Sequence, residues 1–342
     1  MDGKMATVVG VDTHKDGHSA ALVDELGGLL AALDVTANRD GYRQLLSWAR
    51  SRSEERNWVV EGTGSYGAGL AAFLTAQGEV VFEGDRPQRR ARGRAGKSDQ
   101  LDAIRVAREA LASAHHAQPR RRGQREAIRV LLTARAGAVD AHCKALNQVY
   151  ALVVTAPEPL RDRLKNLKGD RLLAACQRLR CTGDLEAATR ALTLRRVGRR
   201  ALQLAAEAAD YERRLSALLT TTAGPLLAQA GVGPITAAQL LVSWSHAGRL
   251  RSESAFAALA GVAPIPASSG RTTRHRLNHY GDRQLNRALH LIALSRSRSD
   301  PATKDYIARR TAEGKSSREI RRCLKRYLAR RLFKLLQRLD MS

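Results

Sequence analysis

The 342-residue chain is short of several residue types, and each shortage removes a class of function. It has four cysteines, Cys143, Cys176, Cys181 and Cys323, with no CxxC pair and no zinc-ligand spacing. That argues against a disulfide scaffold or a structural zinc site and reads as reduced cytoplasmic thiols. No apolar run reaches the length that spans a bilayer, and the basic residues are spread along the chain instead of gathered on one amphipathic helix, so a membrane partner is not expected. The start of the sequence is polar and then strand-like, unlike a secretory leader. Aromatic residues are only 4%, which argues against recognition dominated by base stacking. Acidic residues are outnumbered, 33 against 58 Lys and Arg, for a net charge of +25. An excess of that size points to a long polyanion, nucleic acid above all, whose counterions are released on binding.

What is present divides the chain into three. Residues 1–115 read as an α/β domain. "TVVGVDTHK", "SAALVDE" and "GLLAALDV" form a three-strand meander, with "LGG" supplying a turn. "RDGYRQLLSWAR" has helical spacing, "NWVVEGTGS" is a short buried strand, "YGAGLAAFLTAQG" a helix ending at Gly78, and "EVVFEG" a further strand. A helix is expected from Asp99 to Ala114. Residues 116–222 carry few strand signals and read as a helical arm broken near Pro157 and Pro159. "RALQLAAEAADYERRLSALLTT" has imperfect heptads, compatible with a coiled coil. Residues 223–342 read as mainly α. "AGVGPITAAQLL" resembles a helix-hairpin-helix, a loop with Pro264, Pro266 and Gly270 follows, a helix starts near Asp282, and "SSREIRRCLKRYLARRLFKLLQRL" is a terminal helix with a basic face.

Four acidic residues occupy unusual places. Asp12 ends the first strand in "VGVDTHK", and Glu61 ends another in "WVVEGTG". Asp99 and Asp102, in "KSDQLDA", stand at i and i+3 and so share one helix face. Carboxylates at element ends suit a two-metal phosphoryl-transfer site, because Mg²⁺ prefers carboxylate oxygen and paired ions stabilise both attacking and leaving oxygens. Each residue alone has a plainer reading: Asp12 capping a turn, Glu61 pairing with an arginine, Asp99 as an N-cap. The ordered set is more specific than its members. Isolated histidines such as His14 and His275 read as surface or packing residues.

"VGVDTHK", "VVEGTGSYG" and "KSDQLDA" resemble the N-terminal domain of the DEDD transposases of insertion sequences, of the IS-one-ten type that includes the Piv and MooV recombinases. "LLAQAGVGPITAAQLL" and "FAALAGVAPIPASSGRTTRHRLNHYGDRQLNRALHLIAL" resemble the same family's C-terminal transposase domain. The resemblance implies a RuvC-like domain of RNase H fold, with Asp12, Glu61, Asp99 and Asp102 binding Mg²⁺ or Mn²⁺. It also implies a nucleophilic serine directly before a glycine, here Ser269 before Gly270, with Ser268 as the neighbouring alternative. That serine would attack a DNA phosphodiester and form a covalent phosphoserine link, acting with the acidic set as a composite site. The family further implies donor and target DNA, a structured bridge RNA from the element, and a homo-oligomer, dimer or tetramer, working in the cytoplasm on the nucleoid.

The residues around Ser269 support that role on chemical grounds. A serine hydroxyl needs activation at neutral pH. Arg271, Arg274, Arg276, His275 and His279 lie close in sequence, and the arginines suit a scissile phosphate and its developing charge. The plainer reading of "PASSGR" is a surface loop. Arg86, Arg89, Arg90, Arg92, Arg94 and Lys97 form a basic run suited to backbone phosphates, or simply a solvated loop. Two other functions fit the same residues: a junction-resolving nuclease that uses metal-activated water and no serine, and a non-catalytic nucleic-acid-binding protein.

Overall fold

Six consecutive buried residues, Val8–Thr13, form the first strand (β1), and such a run marks a strand covered on both faces. The computed structural model describes residues 7–84, 99–113, 115–120, 122–267 and 275–339. The chain divides into two units, Met1–Arg122 with Ser245–Arg251, and Gly123–Trp244 with Ser252–Ser342.

In the first unit β1 is followed by β2 (Gly17–Val23), β3 (Leu29–Thr36), α1 (Arg39–Arg50), β4 (Asn57–Glu61), α2 (Ala68–Ala76), β5 (Val81–Gly84) and α3 (Asp99–Ala112). The five strands make one sheet in the order β3-β2-β1-β4-β5. β1, β2 and β3 are antiparallel neighbours, while β4 and β5 run parallel to β1. The β2–β3 turn is held by Asp24, whose carboxylate accepts from the N–H groups of Leu26 and Gly28. α1 begins at Asn38, whose side chain accepts from Gly41 N–H, a standard N-cap. One sheet face packs Val9, Val11, Trp58 and Val60 against Leu45, Leu46, Leu70 and Leu74 of α1 and α2. The opposite face packs Val8 and Val59 against Val106, Ala107 and Ala110 of α3.

Gly10 sets how closely α3 approaches. A Cβ there would lie 2.3 Å from the Ala103 carbonyl oxygen and 2.6 Å from the Ala107 nitrogen. Only glycine lets the helix backbone lie directly on the central strand. A second fastener is Glu79, which accepts from Arg50, Arg56 and the Trp58 indole N–H. Burial works to raise its carboxyl, but these hydrogen bonds outweigh burial and hold it below its ordinary value.

The second unit is helical. It begins with α4 (Gln124–Val154), α5 (Glu158–Leu164), α6 (Gly169–Gln177) and α7 (Leu185–Thr222). It continues with α8 (Gly224–Leu227), α9 (Pro234–Trp244), α10 (Glu253–Leu259), the short strands β6 (Ile265–Pro266) and β7 (His275–Arg276), α11 (Arg283–Ser299), α12 (Pro301–Ala312) and α13 (Ser317–Leu336). α7 has 38 residues, so at 1.5 Å per residue it is about 57 Å long. Its partner is α4 of the same chain, and the pair is antiparallel: Arg135 bonds Glu212, His142 bonds the Ala201 carbonyl, and Arg190 bonds the Leu152 carbonyl. α5 and α6 close one end of the pair through Leu164, Leu172, Leu173 and Cys176. The remaining helices bury Leu240, Leu241, Trp244, Phe256, Leu289, Ile292 and Phe333. α11 starts at Asp282, whose carboxylate accepts from the N–H groups of Gln284 and Leu285. α12 carries little sequence signal, because its apolar face is thin and only Thr303 is buried.

Candidate active site

The period-2 alternation of a strand decides which acids meet. Val8, Gly10 and Asp12 fall on the α3 face of β1, and Val59 and Glu61 fall on the same face of β4. The parallel register pairs Val11 with Val60, so Asp12 and Glu61 are the next residues along adjacent strands. The Thr13 hydroxyl donates to the Glu61 carbonyl at 3.0 Å and continues that pairing past the ladder. Asp99 and Asp102 lie in the first turn of α3, which Gly10 lets settle on β1. Three elements distant in sequence thus deliver acidic residues to one end of the sheet.

Asp12 is 7% exposed. Its Oδ2 lies 3.1 Å from His14 Nε2, and His14 Nε2 lies 3.5 Å from Asp99 Oδ1. One ligand atom from each of Asp12, His14 and Asp99 can be chosen so that all lie within 4.8 Å of one another. Burial raises the Asp12 carboxyl above its ordinary value, the His14 charge opposes this, and the charges of Asp102 and then Asp99 add to it. A buried carboxylate crowded by two others is a donor set that a cation would stabilise, so the residues fit a divalent metal. Asp102 also has a protein partner: Arg105 lies 2.6 Å from its Oδ1. A groove of about 780 Å³ opens beside the cluster, lined by His14, Lys15, Tyr66, Asp99 and Gln100 among others.

His14 is the residue that reading the sequence missed. Its ring is half exposed, as a surface residue's would be, and it also stands between two of the acids. The available signal was its place two residues after Asp12, just past the strand end, where alternation returns the side chain to the same face. Of the other residues singled out, Arg276 lies on β7 and is exposed. Ser268, Ser269, Arg271, Arg274, Arg89, Arg90, Arg92, Arg94 and Lys97 lie outside the described residues. Among the described residues, no helix is long and apolar enough to cross a membrane.

Comparison with known proteins gives two family matches. A DEDD transposase family of the IS110 type matches residues 9–156, and the family described as "Transposase IS116/IS110/IS902 family" matches residues 225–308. The first match implies divalent metal use and an RNase H-like fold for the sheet domain, which the mixed sheet fits. An uncharacterized 42 kDa protein of insertion element IS900 from Mycobacterium paratuberculosis is 25% identical, the alignment covering 90% of this chain and 89% of that one. An uncharacterized 44.8 kDa protein of insertion element IS116 from Streptomyces clavuligerus is 27% identical over 90% of this chain and 88% of its own. Over a shorter span, 41% of this chain and 33% of the relative, an uncharacterized 43.6 kDa protein of insertion element IS110 from Streptomyces coelicolor is 35% identical. The chain belongs to the IS110 family of insertion-sequence DEDD transposases, enzymes that act on DNA.

Proposed function

We propose that this transposase recombines DNA by joining Ser269 covalently to a DNA phosphate, with Asp12, Glu61, Asp99 and Asp102 holding Mg²⁺ beside the reacting group. The observation that supports it best is the meeting of Asp12 with the first turn of α3: His14 Nε2 stands 3.1 Å from Asp12 and 3.5 Å from Asp99, and burial together with the charges of Asp102 and Asp99 raises the Asp12 carboxyl. Bound divalent ions there would stabilise the charge that develops on attacking and leaving oxygens. Ser269 Oγ forms its bond to phosphorus as a backbone P–O bond breaks, and the departing sugar oxygen takes a proton. Arg271, Arg274 and Arg276 offset charge on the phosphate, while Arg89, Arg90, Arg92, Arg94 and Lys97 hold the DNA backbone. A bridge RNA from the element, bound by the same basic excess, would select donor and target DNA, and a homodimer or tetramer would bring two duplexes together. The proposed division of labour follows residues 1–115, 116–222 and 223–342.

The test is a covalent protein–DNA adduct on a denaturing gel, formed with Mg²⁺ and the element's flanking RNA. It is expected to disappear in Ser269→Ala and in Asp12→Ala. Cleavage that persists in Ser269→Ala without an adduct would select the junction-nuclease reading instead.

A further inference from the structure

We infer that His14 is itself a metal ligand, so that one cation site of this enzyme is a mixed imidazole–carboxylate site and not an all-oxygen one. The inference rests on the proposed metal role of Asp12 and Asp99 and adds to it a residue from the first strand's exit.

The geometry carries it. His14 Nε2 faces two carboxylate oxygens from different elements, at 3.1 Å and 3.5 Å. One ring nitrogen has a single proton or a single lone pair. It can donate to Asp12 or to Asp99, but not well to both, whereas one cation satisfies all three groups. In an octahedron with bonds of about 2.1 Å, adjacent ligand atoms stand about 3.0 Å apart and opposite ones about 4.2 Å. The two short separations lie near the adjacent-ligand spacing. The three ligand atoms all lie within 4.8 Å of one another. The backbone at His14 is anchored, since its N–H donates to the Gly17 carbonyl at 3.0 Å in the β1–β2 turn. The ring itself is half exposed, 52%, so it can exchange a carboxylate partner for an ion without unfolding the strand. Asp102 is differently placed, because Arg105 already holds it. The nitrogen has a chemical consequence. Mg²⁺ is best served by oxygen, while imidazole favours first-row transition ions. His14 therefore shifts the site's preference from Mg²⁺ toward Mn²⁺.

Mn²⁺ is the probe, titrated into the full-length protein. Electron spin-echo modulation is expected to show an imidazole nitrogen bound to Mn²⁺, and that signal is expected to vanish in His14→Gln and His14→Asn, with circular dichroism confirming that at least one of them is folded. The same variants are expected to bind Mn²⁺ about tenfold more weakly, with a smaller loss for Mg²⁺. Binding that Asp12→Asn abolishes but that carries no imidazole nitrogen would overturn the role of His14 and leave the carboxylate site standing. A nitrogen signal that survives both His14 variants would also overturn it. No Mn²⁺ binding, or binding indifferent to Asp12→Asn, would overturn both the inference and the metal reading beneath it.

Discussion

Two aspartates, Asp12 in the sheet and Asp210 on the long helix α7, show opposite treatment of the same side chain. Asp210 lies on the surface and accepts from Arg214 and Arg213, each at 2.8 Å. The hydrogen bond from Arg214 leads in holding its carboxyl below the ordinary value. Asp12 is buried, and burial leads in pushing its carboxyl up, with Asp102 and Asp99 adding to the push against His14. A chain with 58 basic residues has cations to spare for pairing. At the sheet end it crowds acids together, and among the described residues a histidine stands between Asp12 and Asp99. Burial and like charge work against ionised Asp12 there, the kind of local conflict that is common at functional sites.

That contrast can be broken most sharply at Asp12. Asp12→Asn is expected to lower strand cleavage by about 1,000-fold or more, the scale of losing a metal ligand's several kcal/mol, measured by adduct yield under single-turnover conditions. The same change is expected to raise the melting temperature in EDTA at neutral pH. The sign follows from the raised folded-state value. Ionisation is harder in the folded chain, so stability falls as pH climbs from the ordinary 3.8 through the folded value, and asparagine removes that loss. Divalent ions are expected to raise the melting temperature of the wild type and not that of Asp12→Asn. An unchanged melting temperature in EDTA would show that the acids are not in conflict.

Gly10→Val tests whether close approach of α3 creates the conflict. The added carbons meet the backbone of Ala103 and Ala107. A destabilisation of about 3 kcal/mol, read by urea unfolding, is expected together with loss of cleavage. Full activity in that variant would mean that α3 has room to spare. Glu79→Ala addresses the counter-example inside the same unit, a carboxylate well supplied with partners. It is expected to cost about 3 kcal/mol, because Arg56 and the Trp58 N–H lose their acceptor. In the wild type the Glu79 carboxyl lies below its ordinary 4.5, so its contribution is whole above that pH and is lost as pH falls through the folded value. Asp210→Ala is the smallest case. Its partners remain solvated, and no measurable shift in melting temperature is expected.

The placements of Asp12, Glu61, Asp99 and Asp102 at element ends were legible because each is announced locally. An apolar run stops at the first two, and a helical period begins at the last two. The later part of α7, α11 and α13 were legible for the same reason, while α4 was legible only as part of a generally helical stretch. The neighbour of α7 was not: imperfect heptads state that a partner exists without saying which segment supplies it, and α4 fills that role. His14 escaped because one histidine after a strand carries no period at all. Its meaning depends on Asp99, 85 positions later, and on Gly10 letting α3 close.

By itself, then, the sequence determined the order of strands and helices in the first unit, the helical character of the rest, the basic excess, and the residues on which family membership rests, because periodicity, caps and charge act between neighbours in the chain. Tertiary structure decided the company those residues keep: the order β3-β2-β1-β4-β5, the seating of α3 on Gly10, the imidazole between Asp12 and Asp99, and the pairing of Asp102 with Arg105. Those outcomes turn on ångström-scale distances between distant segments, and such distances exist only once the sheet and its covering helices have packed.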